Sequence, residues 1–262
     1  MTDRPILFSG PMVRALLREA EAPGTGKTQT RRVLTPRNTA FVSRYGVRWP
    51  NWVAETAFDW TNSTIDAGKA PSGRFMPCLR LPWDHLGSRL IAWVYPQVQV
   101  GDRLWVRETH ITGWPCDGDD LMQFDEDGNE LPRTTWYRAD GNLHRWLGDN
   151  DDFGNVPWRP SIHMPRGASR LTLIVTDVRV QRLQDVTEED ALAEGVEIQP
   201  SGAFLDYRYG PGNEVETAVD SLRTLWESLN AQRGHGWDAN DWVVALTFTV
   251  HQRNIDAMEK AA

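Results

Sequence analysis

The segments of this chain with a clear hydrophobic period are few and lie far apart. Alternating apolar residues predict strands at Arg32 to Leu34, Arg103 to His110, Leu171 to Val180 and Trp242 to His251. Apolar residues at helical spacing, with capping residues, predict helices between Pro11 and Pro23, at Glu188 to Glu194 and at 217–230. A doubly wound sheet needs strands and helices in regular alternation, which is missing from this sequence. The sequence therefore predicts an α+β fold, a small mixed β-barrel with flanking helices.

Two long stretches between these segments are predicted to be insertions into a single domain of residues 1–262. Residues 36–100 show no sustained period and contain many Pro, Gly and Trp residues. The stretch at about 112–160 includes an acidic, glycine-rich patch, Asp117 to Glu130. Such a composition is typical of surface loops rather than of a core.

The net charge of the chain limits the classes of partner that it is expected to bind. A net charge of −8 argues against a protein that coats DNA, because sequence-independent binding relies on many contacts from Lys and Arg to phosphate. The first 50 residues nevertheless hold nine basic side chains against three acidic ones, so a local basic face is possible. The 13 tryptophans can stack on bases or fill a core, and we expect most of them to pack.

The cysteine count and hydropathy favour a soluble protein of the cytoplasm, or of the host cytoplasm if a phage encodes it. Two cysteines could form at most one disulfide. The sequence has no run of 18 apolar residues, so we expect no membrane-spanning helix and no membrane partner.

The sequence does not match two familiar types of ligand-binding motif, the phosphate-binding P-loop and paired metal ligands. Gly24 to Thr28 resembles the end of a phosphate-binding P-loop, but Glu21 occupies the place of its first glycine, and the segment precedes a predicted strand instead of a helix. The six histidines and two cysteines lack paired ligand spacing, so we expect no metal and no cofactor.

The loop after the first helix concentrates reactive side chains. Lys27, Thr30, Arg31 and Arg32 fall within six residues, and Glu194 ends a later short helix, where Thr187 and Asp190 resemble a capping box. A buried lysine loses pKa because a low dielectric disfavours its charge, so a neutral Lys27 could take the proton of Thr30. A carboxylate near both could relay that proton to a leaving amine. The same residues could instead serve structure, with Lys27 and Glu194 as a salt bridge.

Three blocks of the sequence are Gly26-Lys27-Thr28-Gln29-Thr30-Arg31-Arg32, Gly101 to Glu108, and Asp185 to Gly195. In their order and spacing, these blocks resemble the ASCH family. Phage and prophage proteins of this family also carry segments similar to Trp158 to Pro165 and Trp237 to Phe248. The matched blocks span nearly the whole chain, while 36–100 and 112–157 match weakly.

The resemblance implies a PUA-like β-barrel with a cleft suited to RNA or a modified nucleobase. Some small bacterial members are amidohydrolases that remove the acetyl group of N4-acetylcytidine with a Lys, a Thr and a Glu. Lys27, Thr30 and Glu194 fall on those positions, which implies that they are catalytic. The present chain is more than twice the size of those enzymes.

Further residues are expected to bind a modified nucleoside or nucleotide, or single-stranded RNA or DNA. Arg31 and Arg32 suit a phosphate or a base edge, because guanidinium forks bind both. The remaining predicted substrate-binding residues are Gln29, Trp105, Arg107 and Glu108.

Two alternatives to an amidohydrolase stay open. One is a non-catalytic module of phage origin that reads RNA or modified DNA through Trp and Arg side chains. The other is a phage accessory protein that binds another protein through its Trp-rich insertion.

Overall fold

A computed structural model describes most of the chain. The described residues are 1–35, 39–43, 63–70, 75–82, 91–113, 116–117, 120–121, 127–129, 132–141 and 158–258. Much of the predicted insertions at 36–100 and 112–160 lies outside the described residues, as does most of the acidic patch. The chain divides into two compact units, each assembled from separate stretches. The first comprises Met1–Thr25, Arg103–Ile174 and Val250–Ala262, and the second Gly26–Asp102 and Val175–Thr249.

Strands outnumber helices in the described part of the chain. The helices are α1 (Gly10–Glu21), α2 (Glu188–Ala193) and α3 (Ala218–Asn230). The strands are β1 (Asp3–Leu7), β2 (Gln29–Val33), β3 (Thr39–Ser43), β4 (Thr64–Lys69), β5 (Phe75–Pro82), β6 (Ile91–Pro96), β7 (Arg103–Arg107), β8 (His110–Gly113), β9 (Cys116–Asp117), β10 (Asp120–Leu121), β11 (Thr134–Tyr137), β12 (Thr172–Arg182), β13 (Phe204–Leu205), β14 (Glu214–Val215) and β15 (Trp242–His251). Short 3-10 helices occur at Arg138–Asp140, Ser161–His163, Arg166–Ala168, Leu183–Asp185, Ala231–Arg233, Trp237–Ala239 and Ile255–Ala257.

The predicted α+β class is confirmed, since several sheets and few helices make up the described residues. The strands among these residues do not close into a barrel. The finer prediction, a PUA-like fold, therefore stays a prediction, as does the single domain with two insertions. None of the described helices combines the length and apolar character needed to cross a bilayer.

In the first unit, β1 pairs in parallel with β7, and residues 172–174 of β12 pair antiparallel to β7. Helix α1 begins after Ser9 with Pro11 in its first turn, where the missing N–H of proline costs nothing. Its buried face includes Val13 and Leu16, as their helical spacing predicts. The antiparallel pair of β8 and β11 belongs to the same unit.

A partly buried ion pair ties β1 to β7 in this unit. Arg103, which is 2% exposed, donates from Nε and Nη2 to the two carboxylate oxygens of Asp3, at 2.8 and 2.7 Å. Arg166 adds a 2.6 Å bond to the same Oδ2 of Asp3 and also binds Asp256. The bond from Arg103, with Arg166 in support, lowers the pKa of Asp3 to about 2.

In the second unit, the strand order is β12, β15, β2, and β15 pairs antiparallel to β2 with Leu246 opposite Thr30. The carboxylate of Glu188 on α2 accepts bonds from the N–H groups of Ala218 and Val219, at 2.8 and 3.3 Å. These N–H groups open α3 and have no partner inside the helix, so the side chain of one helix caps the next.

A second sheet of this unit lies inside the stretch where the sequence showed no period. Its order is β3, β6, β5, β4, and every neighbouring pair is antiparallel. One side carries a small buried cluster of Ala70, Met76, Cys78 and Tyr95, in which Cys78 is a free thiol. Burial raises the pKa of Cys78 to about 11 and that of Tyr95 to about 12.

The element boundaries mostly follow the predictions. Strand β15 and helix α3 agree with the predicted ranges to within one residue. Strand β2 begins at Gln29 instead of Arg32, because backbone pairing with β15 extends to Thr247 opposite Gln29. Strand β7 ends at Arg107 instead of continuing to His110, which starts the separate strand β8.

Candidate functional site

The backbone around Lys27 is held by two hydrogen bonds within the second unit. The N–H of Thr28 donates to the carbonyl of Ala193 at the end of α2, at 2.8 Å. The carbonyl of Thr28 accepts from the N–H of Phe248 on β15, at 2.9 Å. The segment before β2 is thus fixed against both the end of α2 and the neighbouring strand, which brings Lys27 to Glu194.

Lys27 and Glu194 form a buried ion pair, the arrangement predicted from the sequence as the structural alternative to catalysis. Lys27 Nζ donates to Glu194 Oε2 at 2.6 Å and to the backbone carbonyl of Glu194 at 2.7 Å. Lys27 is 1% exposed and Glu194 5%. Glu194 caps the C-terminus of α2, and Gly195 follows in the left-handed region at φ +81°. The lysine therefore binds one of the carbonyls that a helix end leaves without an internal partner.

Burial changes the acidity of Lys27. Loss of solvation lowers the pKa of its ammonium to about 8, although the charge and hydrogen bond of Glu194 act in the opposite direction. The positive charges of Arg32 and Arg31 lower it further. A lysine with a pKa near 8 is partly neutral close to physiological pH, which is the state that a general base needs.

Arg31 joins the second oxygen of Glu194 to a further carboxylate. Its Nη1 donates to Glu194 Oε1 at 3.1 Å, and its Nη2 lies 2.8 Å from Asp190 Oδ2. The other oxygen of Asp190 accepts from Gln29 Nε2 at 3.2 Å and from Arg179 Nη2 at 2.8 Å. Although burial raises the pKa of Asp190, bonds and charges from Arg179 and Arg31 outweigh it and lower that pKa overall. Charges of alternating sign thus run from Lys27 to Arg179.

Thr30 and Arg32 form a second part of the site. Neighbouring residues of a strand point to opposite faces, so Thr30 and Arg32 share one face of β2 while Gln29 and Arg31 share the other. Arg32 Nη1 donates to Thr30 Oγ1 at 3.0 Å and to the carbonyl of Arg31 at 3.0 Å. Thr30 is 1% exposed. The positive charge of Arg32 also repels the ammonium of Lys27 and attracts the carboxylate of Glu194.

Three predicted substrate-binding residues belong to the first unit. Trp105 is buried, and the guanidinium of Arg107 lies 5.2 Å from the centroid of its ring. Arg107 also donates to the carbonyl of Ile162. Glu108 forms a bidentate pair with Arg170, with both bonds at 2.9 Å, and burial raises the pKa of Glu108 despite that arginine. These contacts give all three residues structural roles, and their role in substrate binding stays a prediction.

Asp190 and Arg179 are the members of this site that sequence reasoning did not identify as functional. The sequence pattern indicates a helix cap for Asp190, and its N–H does donate to Thr187 Oγ1 at 3.2 Å. Its carboxylate, however, binds Arg31, Arg179 and Gln29. The one available signal was its position four residues before Glu194, which places both carboxylates on one side of α2.

No group of three or more His, Cys, Asp or Glu side chains that could hold a metal ion occurs in the part of the chain that the structure describes.

Comparisons of the chain with models of known protein families, with curated proteins and with solved structures give no match.

Proposed function

We propose that this protein is an amidohydrolase of the ASCH type, with a PUA-like fold, that removes an acyl group from a modified cytosine-like nucleoside such as N4-acetylcytidine. The observation that carries the proposal is the buried contact of 2.6 Å between Lys27 and Glu194, with the pKa of Lys27 lowered to about 8. Perturbed acidity of this kind is typical of groups that transfer protons in catalysis. The resemblance of the surrounding sequence to the ASCH family supplies the substrate class.

In the proposed reaction, Thr30 Oγ attacks the acyl carbon and its proton passes to neutral Lys27. The tetrahedral intermediate collapses as the C–N bond breaks, and Glu194 relays a proton from Lys27 to the departing amine. The hydrogen bond between Lys27 and Glu194 is the path for that relay. A water molecule then hydrolyses the acyl-threonine, which releases the carboxylic acid and restores Thr30.

Arg32 has two roles in this scheme. Its bond to Thr30 Oγ1 favours the ionised hydroxyl, because a donor stabilises the charged form of its acceptor. A guanidinium beside the reacting atoms is also suited to an oxyanion or to a phosphate group of the substrate.

The test is deacylation of N4-acetylcytidine and related N4-acyl nucleosides by purified protein, followed by chromatography of the released amine. We expect turnover by the wild type and by Thr30→Ser, which keeps a hydroxyl, and none by Thr30→Ala. Thr28→Ala is the matched control, because it changes a threonine of the same segment that has no part in the scheme.

Two results would remove the mechanism: no turnover of any N4-acyl nucleoside by the wild type, or full turnover by Thr30→Ala. Salt-sensitive binding of an oligonucleotide without turnover would favour the non-catalytic module instead.

A further inference from the structure

Arg31 lies between two carboxylates of one helix. Its two terminal nitrogens contact Glu194 Oε1 at 3.1 Å and Asp190 Oδ2 at 2.8 Å. The Arg31 side chain is 1% exposed, so water screens neither contact effectively. The position of this guanidinium therefore depends on both anions.

The carboxylate of Glu194 also binds two cations. Its Oε2 accepts from Lys27 and its Oε1 from Arg31. Any change that moves Arg31 closer to Glu194 competes with Lys27 for the same carboxylate. The strength of the contact between Lys27 and Glu194 thus depends on how firmly Arg31 is held elsewhere.

We propose that Asp190 is a positioning residue of the candidate site, which holds Arg31 and thereby leaves the carboxylate of Glu194 to Lys27. Asp190 is suited to this role because its second oxygen is anchored by Gln29 and Arg179. Its carboxylate is therefore fixed by three partners on two strands, β2 and β12, and α2 presents it four residues before Glu194.

Removal of the negative charge of Asp190 has a defined consequence for Lys27. Among the groups that act on the ammonium, Glu194 favours its charge, and Arg31 and Arg32 oppose it. Without Asp190, Arg31 binds Glu194 more closely, so the main partner of the ammonium is weakened. The pKa of Lys27 should then fall below its wild-type value of about 8.

The experiment is an NMR titration of lysine side chains labelled with ¹³C at Cε. The chain has only three lysines, Lys27, Lys69 and Lys260, so Lys69→Arg and Lys260→Arg assign the signals. We expect the midpoint of Lys27 to fall by about half a pH unit in Asp190→Asn, less than the effect of a directly opposed charge. A residue that only supports the fold would change stability without moving this midpoint.

Asp177→Asn is the matched control. Asp177 lies at the outer end of the same network, 3.5 Å from Arg179, and is 53% exposed. The substitution removes the same charge from a residue that does not contact Arg31, so the midpoint of Lys27 should stay within about 0.1 pH unit. An unchanged midpoint in Asp190→Asn, or an equal shift in Asp177→Asn, overturns the proposal.

Arg179→Gln provides a second test of the proposal if Asp190→Asn does not fold. Arg179 is 42% exposed, and its loss leaves the charge of Asp190 entirely to Arg31 and Gln29. Arg31 should then bind Asp190 more tightly, and the midpoint of Lys27 should rise. A midpoint that stays the same or falls contradicts the proposal.

Only the expected effect of Asp190→Asn on the reaction rate depends on the proposed function. If the protein deacylates N4-acetylcytidine, the acidic limb of its pH-rate profile should shift to lower pH in Asp190→Asn, in step with the titration. If it has no turnover, the proposed function fails, whereas the lysine titration still decides the role of Asp190.

Discussion

The ammonium nitrogen of Lys27 lies 2.6 Å from the carboxylate of Glu194, a residue 167 positions away in the sequence. Burial of such a pair does not by itself stabilise a fold, because desolvation of both charges offsets their attraction. Removal of one partner is nevertheless costly, because it leaves a buried charge without compensation. Glu194 pairs with two cations, Lys27 and Arg31, so its loss leaves two buried charges with weaker compensation. Loss of Lys27 removes only one of these two pairs.

Glu194→Gln should destabilise the protein more than Lys27→Met. The glutamine leaves Lys27 without a counterion and Arg31 with Asp190 only, and we expect a loss of about 3 kcal/mol in the free energy of unfolding. The methionine leaves Glu194 bound to Arg31, so its cost should be smaller. Urea unfolding at neutral pH measures both, with Glu189→Gln on the exposed side of α2 as the control. A larger loss in Lys27→Met would contradict the shared role of Glu194.

Lys27 should also make the free energy of unfolding depend on pH in the alkaline range. Its pKa in the folded protein is about 8, below the ordinary value of 10.5. Between these values the unfolded chain binds a proton that the folded protein does not, so the free energy of unfolding rises with pH. Urea unfolding of wild type and Lys27→Met from about pH 7 to about pH 10 should show the wild type gaining relative to the variant. If the free energies of unfolding of the two proteins change in parallel with pH, burial does not lower the pKa of Lys27.

Asp3 should contribute stability that acid removes. Its pKa is about 2 in the folded protein against an ordinary 3.8, so its contribution is complete above pH 3.8 and is lost as the pH falls through 2. Asp3→Asn leaves Arg103 buried without a carboxylate and should cost about 3 kcal/mol near neutral pH. Thermal unfolding at about pH 7 and at about pH 2.5 measures the difference, which should shrink in acid.

Asp256→Asn is the control for this prediction. Asp256 shares Arg166 with Asp3, but its side chain is 58% exposed, so its removal should change stability little. Equal losses in the two variants would mean that Arg103 does not depend on Asp3.

Glu188→Ala should destabilise α3, although Glu188 belongs to α2. Its carboxylate satisfies two N–H groups at the start of α3, and the loss of such a cap costs about 1 kcal/mol. Glu189→Ala removes the same charge and side chain from the next position, which is also exposed, and controls for effects on α2 itself. The midpoints of thermal unfolding should differ between the two variants, and matching midpoints would show that the cap contributes nothing.

Gly68→Ala should strain the sheet of β3 to β6. An added Cβ would lie 2.5 Å from the hydroxyl of Tyr95, which is buried in the cluster of that sheet. We expect a loss of about 1–3 kcal/mol, and Tyr95→Phe in the same chain should recover part of it, since the ring carbon lies 3.5 Å away. Gly113→Ala, with its nearest contact at 3.5 Å, should be well tolerated. No recovery in the double variant would locate the strain elsewhere.

The parts of the fold that the sequence predicted are those with strong local signals. The apolar spacing of α1 and α3 and the alternation of β15 are set by which face of each element is buried. The sheet of β3 to β6 was not predicted, because its segments carry no sustained period and its stability depends on pairing between strands. The first three residues of β2 were missed for the same reason, since pairing with β15 defines them.

The sequence by itself determined the elements with a clear hydrophobic period and the identity of the reactive side chains around Lys27. Only the tertiary structure decided which distant residues meet: Lys27 with Glu194, and Arg31 with Asp190 and Glu194. The physical reason is that helical and strand periods act over a few residues, whereas charge pairing and desolvation depend on neighbours in space. The acidity of Lys27, on which the proposed chemistry depends, is therefore a property of the folded chain.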